Sequence, residues 1–189
     1  MLDLIESFKL LKKMPIAEYK IASEKDLEFS YPAYIKISIG EHKIELGGVR
    51  KCINKEEALQ NYKEIRRKFK GKIILQKAID GKEMIIGIKE DEVFHRLLLL
   101  GFGGIDAEIL KDVSFRALPV DKQEIEKMLK ELKLYPALVT RKKYAVDKFI
   151  ELAEEISKLA EKLNIKEMDL NPVILTEKDA VIVDARVLT

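Results

Sequence analysis

The sequence predicts an α+β fold, and three observations carry that reading. Apolar residues recur at helical spacing in two long stretches, Ala58-Tyr62-Ile65-Phe69 and Phe149-Ile150-Ala153-Ile156-Leu159-Ala160-Leu163. Strict alternation marks Val113, Phe115 and Ala117 against Asp112, Ser114 and Arg116. Short β-rich runs bounded by turn residues close the chain at 167–172 and 180–188. The chain has 189 residues, 47% hydrophobic and 36% charged, which is enough for a real core in one domain or in two small lobes sharing a cleft. The formal charge of +2 argues against a nucleic-acid binder working by counterion release. One cysteine and two histidines exclude an internal disulfide and are too few soft ligands for zinc. No apolar run reaches the ~18 residues of a membrane span, and a cytoplasmic protein is the expectation.

Leu4, Ile5, Phe8 and Leu11 predict an amphipathic helix over 2–13, ended by Pro15. Strands are expected at 16–22 and 33–38, with too little chain between them for a helix. Lys36 interrupts the second strand between Ile35 and Ile37. It is either a snorkelling edge lysine or one aimed at an anion. Residues 38–50 read as a loop holding His42, Glu45, Gly47 and Gly48. Asn54 and Glu57 form a capping box ahead of the first long helix. Strands at 72–78 and 83–89 around Asp80-Gly81 predict a hairpin. Leu97 to Leu100 has the composition of a buried strand, and His95 reads as a satisfied strand-end histidine. Gly101, Gly103 and Gly104 follow, forming either a tight turn or a close approach to a ligand that the polar face of 112–116 can also reach. A charged helix is expected at 121–132, a loop through Tyr135-Pro136, and a long helix over 146–163.

The C-terminal strands, joined at Glu177-Lys178, put Asn171 opposite Asp184 or one place away. Asp169 shares that face. These are the hard oxygen donors that Mg²⁺ takes alongside nucleotide phosphates, though the polar outer face of an edge hairpin would look the same.

These motifs resemble a known family. Gly103-Gly104-Ile105 through Lys111-Asp112-Val113-Ser114-Phe115-Arg116, with Asp169-Leu170-Asn171-Pro172 and Val183-Asp184-Ala185-Arg186, resemble the ATP-grasp domain of NDP-forming acyl-CoA synthetases. The resemblance implies two lobes around a nucleotide cleft, 1–78 and 79–189. It implies ATP/ADP and Mg²⁺ as cofactors, with Asn171, Asp184 and Asp169 on the metal and Lys36 on phosphates. Gln76, Lys77 and Ala78 would meet the adenine, Lys77 standing where the family has glutamate. Gly103, Gly104 and Glu108 complete the nucleotide site. His42 would be a phosphoryl relay oriented by Glu45 and working with Arg116, on a loop two residues shorter than the family's. No CoA-binding domain is recognisable, so a separate CoA-binding subunit and a hetero-oligomer are expected. Two rival functions remain open: another acyl-phosphate-forming carboxylate ligase, and a non-catalytic nucleotide-binding subunit.

Overall fold

The computed structural model describes residues 1–40, 47–104, 111–140 and 143–189. His42, Glu45 and Glu108 lie outside them. The chain divides into two compact units, one of Leu2–Glu6 with Ala17–Ile79, the other of Met1, Ser7–Ile16 and Asp80–Thr189.

The first unit is a four-stranded sheet in the order β1 (Tyr19–Ala22), β4 (Lys72–Lys77), β2 (Ala33–Ser38), β3 (Val49–Cys52). Helix α2 (Lys55–Lys68) packs on β2 and β3. Its start follows the sequence: Asn54 accepts from the Glu57 N–H at 2.9 Å, and Glu57 accepts from the Ile53 N–H at 3.0 Å. Alternate residues of β2 and β4 (Ala33, Ile35, Ile37, Ile73, Leu75) join Ala58, Tyr62 and Ile65 of α2 in one buried core. Helix α1 (Leu4–Leu10) is shorter than its apolar stripe suggests. Asp3 and Glu6 satisfy each other's backbone N–H at its start. The region expected to be a loop up to Arg50 ends early, because β3 begins at Val49 and pairs with β2.

The second unit carries a six-stranded sheet in the order β10 (Arg186–Leu188), β8 (Glu167–Leu175), β5 (Lys82–Asp91), β6 (His95–Phe102), β7 (Val113–Ala117), with β9 (Ala180–Ile182) also on β8. Helix α3 (Lys122–Glu131) lies against β6 and β7, and α5 (Val146–Lys162) against β5, β9 and α3. Met84, Ile86, Ile88, Leu98, Leu100, Met168 and Leu170 are buried, as are Ile125, Phe149 and Ile156 of the helices.

Two sequence expectations fail here for physical reasons. The strands flanking Asp80-Gly81 do not form a hairpin: β4 pairs with β1 and β2, whereas β5 pairs with β6 and β8. A turn signal marks a change of direction without saying which strand comes next. Around Tyr135-Pro136 the expected loop is a short helix, α4 (Tyr135–Val139), since proline suits a first helical turn.

Candidate functional site

The oxygen donors come from the end of the chain. β9 and β10 pair with β8 in one continuous antiparallel register, Val173 with Ile182 and Asp169 with Arg186. The Val183 N–H to Pro172 oxygen bond (3.4 Å) lies on the same line. Carried across the unpaired residues 183–185, that register would set Asn171 opposite Asp184. Asp184 Oδ1 also accepts from the Ala185 N–H at 2.9 Å, which fixes one carboxylate oxygen. Asp169, the third expected metal ligand, sits in an ion pair. Arg186 Nη2 donates to its Oδ2 at 2.8 Å, so a guanidinium already balances that carboxylate. Among the described residues, no three His, Cys, Asp or Glu gather closely enough to hold a metal ion. An amide and one carboxylate still fit Mg²⁺, which takes few protein ligands and completes its shell with phosphate and water.

The glycine stretch is shaped by its own chain. A Cβ on Gly101 would stand 2.7 Å from Val113 Cγ1 and 2.8 Å from the Asp112 oxygen, so glycine there lets β7 pair closely. Gly103 donates its N–H to the Glu83 oxygen at 2.8 Å. Gly104 has φ +67°, and a Cβ on it would meet Glu83 Oε2 at 2.5 Å. Glu83 on β5 is therefore part of this constellation, though nothing in the sequence around it marks it out.

The polar face of β7 is the covered one. Ser114 is buried, and Phe115 on the opposite face is 49% exposed. Arg116 Nε donates to Glu124 Oε1 at 2.6 Å and its Nη2 pairs with Glu131, while Ser114 Oγ donates to Glu131 Oε2 at 2.7 Å. The Arg116 guanidinium, followed by Ser114, holds the Glu131 carboxyl below its ordinary range, and Arg116 does the same for Glu124. Buried Asp112 accepts the N–H groups of Lys133 and Leu134 at 2.8 and 2.9 Å. Asp112, Ser114 and Arg116 thus fasten α3 and the turn after it. The bonds described for that face run within the chain. The missed signal was Glu124 and Glu131, seven residues apart and so on one face of α3.

In the other unit, Lys36 is 5% exposed, with Nζ 5.7 Å from the Tyr34 ring centroid. It lies on the sheet face away from the α2 core. Gln76 shares that face, opposite Tyr34 in register, and is fully buried with neither side-chain polar atom hydrogen-bonded. Such an orphan amide is costly and suits a polar ligand. The N–H groups of Lys77 and Ala78 are occupied, donating to the Glu18 and Pro32 oxygens at 2.9 and 3.2 Å. His95 is the first residue of β6, as expected of a strand-end histidine, and is exposed with φ +61°.

Residues 7–188 match the model of the ATP-grasp domain family. The beta subunit of ADP-forming acetate–CoA ligase I from Pyrococcus furiosus is 36% identical over 197 residues, spanning 93% of this chain and 85% of its own. ADP-forming acetate–CoA ligase II from Archaeoglobus fulgidus is 36% identical over 174 residues, 85% of this chain but only 25% of that longer protein. Among solved structures, dinucleotide forming acetyl-coenzyme A synthetase 1 of Ca. Korarchaeum cryptofilum, bound to coenzyme A and Ca-AMPCP, matches with a TM-score of 0.88 at 29% identity, covering 100% of this chain and 92% of that one. The same synthetase with coenzyme A and Mg-AMPPCP, its phosphohistidine segment pointing towards the nucleotide binding site, matches at 0.82 and 30% identity over 98% and 91%. The chain belongs to the ATP-grasp family, in the branch of the ADP-forming acetate–CoA ligases.

Proposed function

We propose that the chain is the nucleotide-handling subunit of an ADP-forming acyl-CoA synthetase. It converts acyl-CoA, phosphate and ADP to acid, CoA and ATP together with a CoA-binding subunit. The carrying observation is the register that sets Asn171 against Asp184, two oxygen donors on adjoining strands. In the first unit Lys36 is assigned to nucleotide phosphate and Gln76, Lys77 and Ala78 to the base; Gly103, Gly104 and Glu108 are the nucleotide-binding assignments on the glycine-rich segment. Mg²⁺, held by Asn171 and Asp184, supplies charge neutralisation to the phosphates. Asp169 orients Arg186 rather than the metal, and Arg116 acts by fixing α3.

His42 carries the phosphoryl group, with Glu45 orienting its ring. A terminal phosphate oxygen of ADP attacks the phosphorus, the P–N bond breaks, and a P–O bond forms. The imidazole leaves with the electron pair and takes up one proton. The nucleotide side then needs only positioning and charge balance, which Lys36 and the oxygen pair provide.

The test loads the chain from labelled ATP and Mg²⁺ and measures Mg·ADP affinity by calorimetry. Asp184→Asn should weaken affinity by about tenfold, the loss of one charge-assisted contact. His42→Ala should bind normally yet lose an acid-labile, base-stable label. Unchanged affinity in Asp184→Asn, or a label surviving in His42→Ala, refutes the corresponding assignment.

A further inference from the structure

The hairpin of β5 and β6 outruns its neighbours. Pairing with β8 ends at Lys89 opposite Glu167, and pairing with β7 ends at Leu97 opposite Ala117. Beyond that line the ladder continues with Glu90 opposite Arg96 and Asp91 opposite His95. The base of this projection is clamped from both sides. The Glu90 N–H donates to the Lys166 oxygen at 2.8 Å, the Leu118 N–H to the Arg96 oxygen at 2.9 Å, and the Arg96 guanidinium bonds Asn164.

The tip itself is tied by a side chain. Asp91 Oδ1 accepts the N–H groups of Val93 and Phe94, both at 2.9 Å, and these bonds, Phe94's first, hold its carboxyl below the ordinary range. The turn so fixed turns two apolar side chains outward, Val93 at 76% and Phe94 at 58% exposure. Exposed Glu90 and Glu92 flank them, and an open hollow beside the tip is lined by Glu90, Asp91, Glu92, His95 and Arg96.

An apolar pair held mostly in solvent at the end of a clamped hairpin gains little for the fold. It fits an anchor entering a partner's pocket, with its ordering cost already met. We propose that this tip is the docking knob for the CoA-binding partner subunit, Val93 and Phe94 seating in an apolar pocket rimmed by lysine or arginine. The proposal rests on the two-subunit reading above and adds the surface through which the subunits meet.

Charge selects the occupant. Two copies meeting tip to tip would crowd the carboxylates of Glu90, Asp91 and Glu92 from each side, and like charges that close repel. An anionic membrane or a nucleic acid would be repelled by the same residues. A basic rim satisfies them, and the acidic hollow gives one cationic side chain a place to enter beside Arg96 and His95.

The experiment titrates the full chain with the CoA-binding subunit from the same organism and reads the dissociation constant by sedimentation. The double variant Val93→Ser/Phe94→Ser should weaken association by about tenfold or more. Glu90→Lys/Glu92→Lys should weaken it severalfold and reduce its dependence on salt. Both variants should keep wild-type Mg·ADP affinity and unfolding temperature. Wild-type association by the double serine variant overturns the docking surface alone. No association by the wild-type chain overturns the two-subunit reading together with it. A self-association of the chain that the serine variant abolishes overturns the choice of partner in favour of a second copy.

Discussion

At the scale of single residues, Arg116 directs its donors to Glu124, Glu131 and the Phe115 oxygen. The consequence is a dependence on acid. Both carboxyls titrate below their ordinary value of 4.5 in the folded chain, so the ion pairs contribute stability above that pH and lose it as pH falls through the lowered values. Arg116→Met should therefore unfold at a lower temperature than wild type at pH 7, with the gap closing towards pH 3. Melting curves at the two pH values check this. A gap of constant size would mean the arginine stabilises by packing instead of charge. Gln76 is the contrasting case, fully buried with neither side-chain polar atom hydrogen-bonded.

At the scale of elements, β6 and β7 depend on the absence of a side chain at Gly101. Gly101→Ala would force Cβ against Val113 and the Asp112 oxygen, and should cost about 1–3 kcal/mol in urea unfolding. Gly87→Ala is the comparison, because its Cβ would meet Leu99 at an ordinary 3.4 Å and should cost well under half as much. Equal losses would show that the penalty comes from the glycine backbone and not from the strand contact. Elements legible in the sequence were those specified locally. The Asn54 cap with its apolar stripe gave α2, and the C-terminal strands pair across a nearby turn, so their register could be counted. Elements that hid depend on distant partners. β3 has a polar Arg50-Lys51 centre and is a strand only because β2 offers it an edge. The period of β7 was plain, but which face it buries was decided by Glu124 and Glu131 on a helix still to come. Asp169 was likewise legible as a carboxylate on the right face and illegible as the partner of Arg186.

At the scale of the whole molecule, the described residues account for two sheets and the helices packed on them, and among those residues no helix is long and apolar enough to cross a membrane. The residues assigned to chemistry all concern a nucleotide: a buried lysine, an orphan amide, and an amide–carboxylate pair of metal-binding type. Acyl-CoA would need a site of its own, with cationic groups for its phosphates and an apolar channel for its pantetheine arm. No residue assigned above supplies either. The isolated chain should therefore bind Mg·ADP yet form no ATP from acetyl-CoA, phosphate and ADP. Adding the CoA-binding subunit should restore ATP formation, with a rate that saturates as the subunits reach equal amounts. It should saturate at the same ratio whichever subunit is varied if each carries one half-reaction of the proposed phosphoryl relay. Full turnover by the isolated chain would show that it holds the acyl-CoA site as well, and the division of labour between subunits would be wrong.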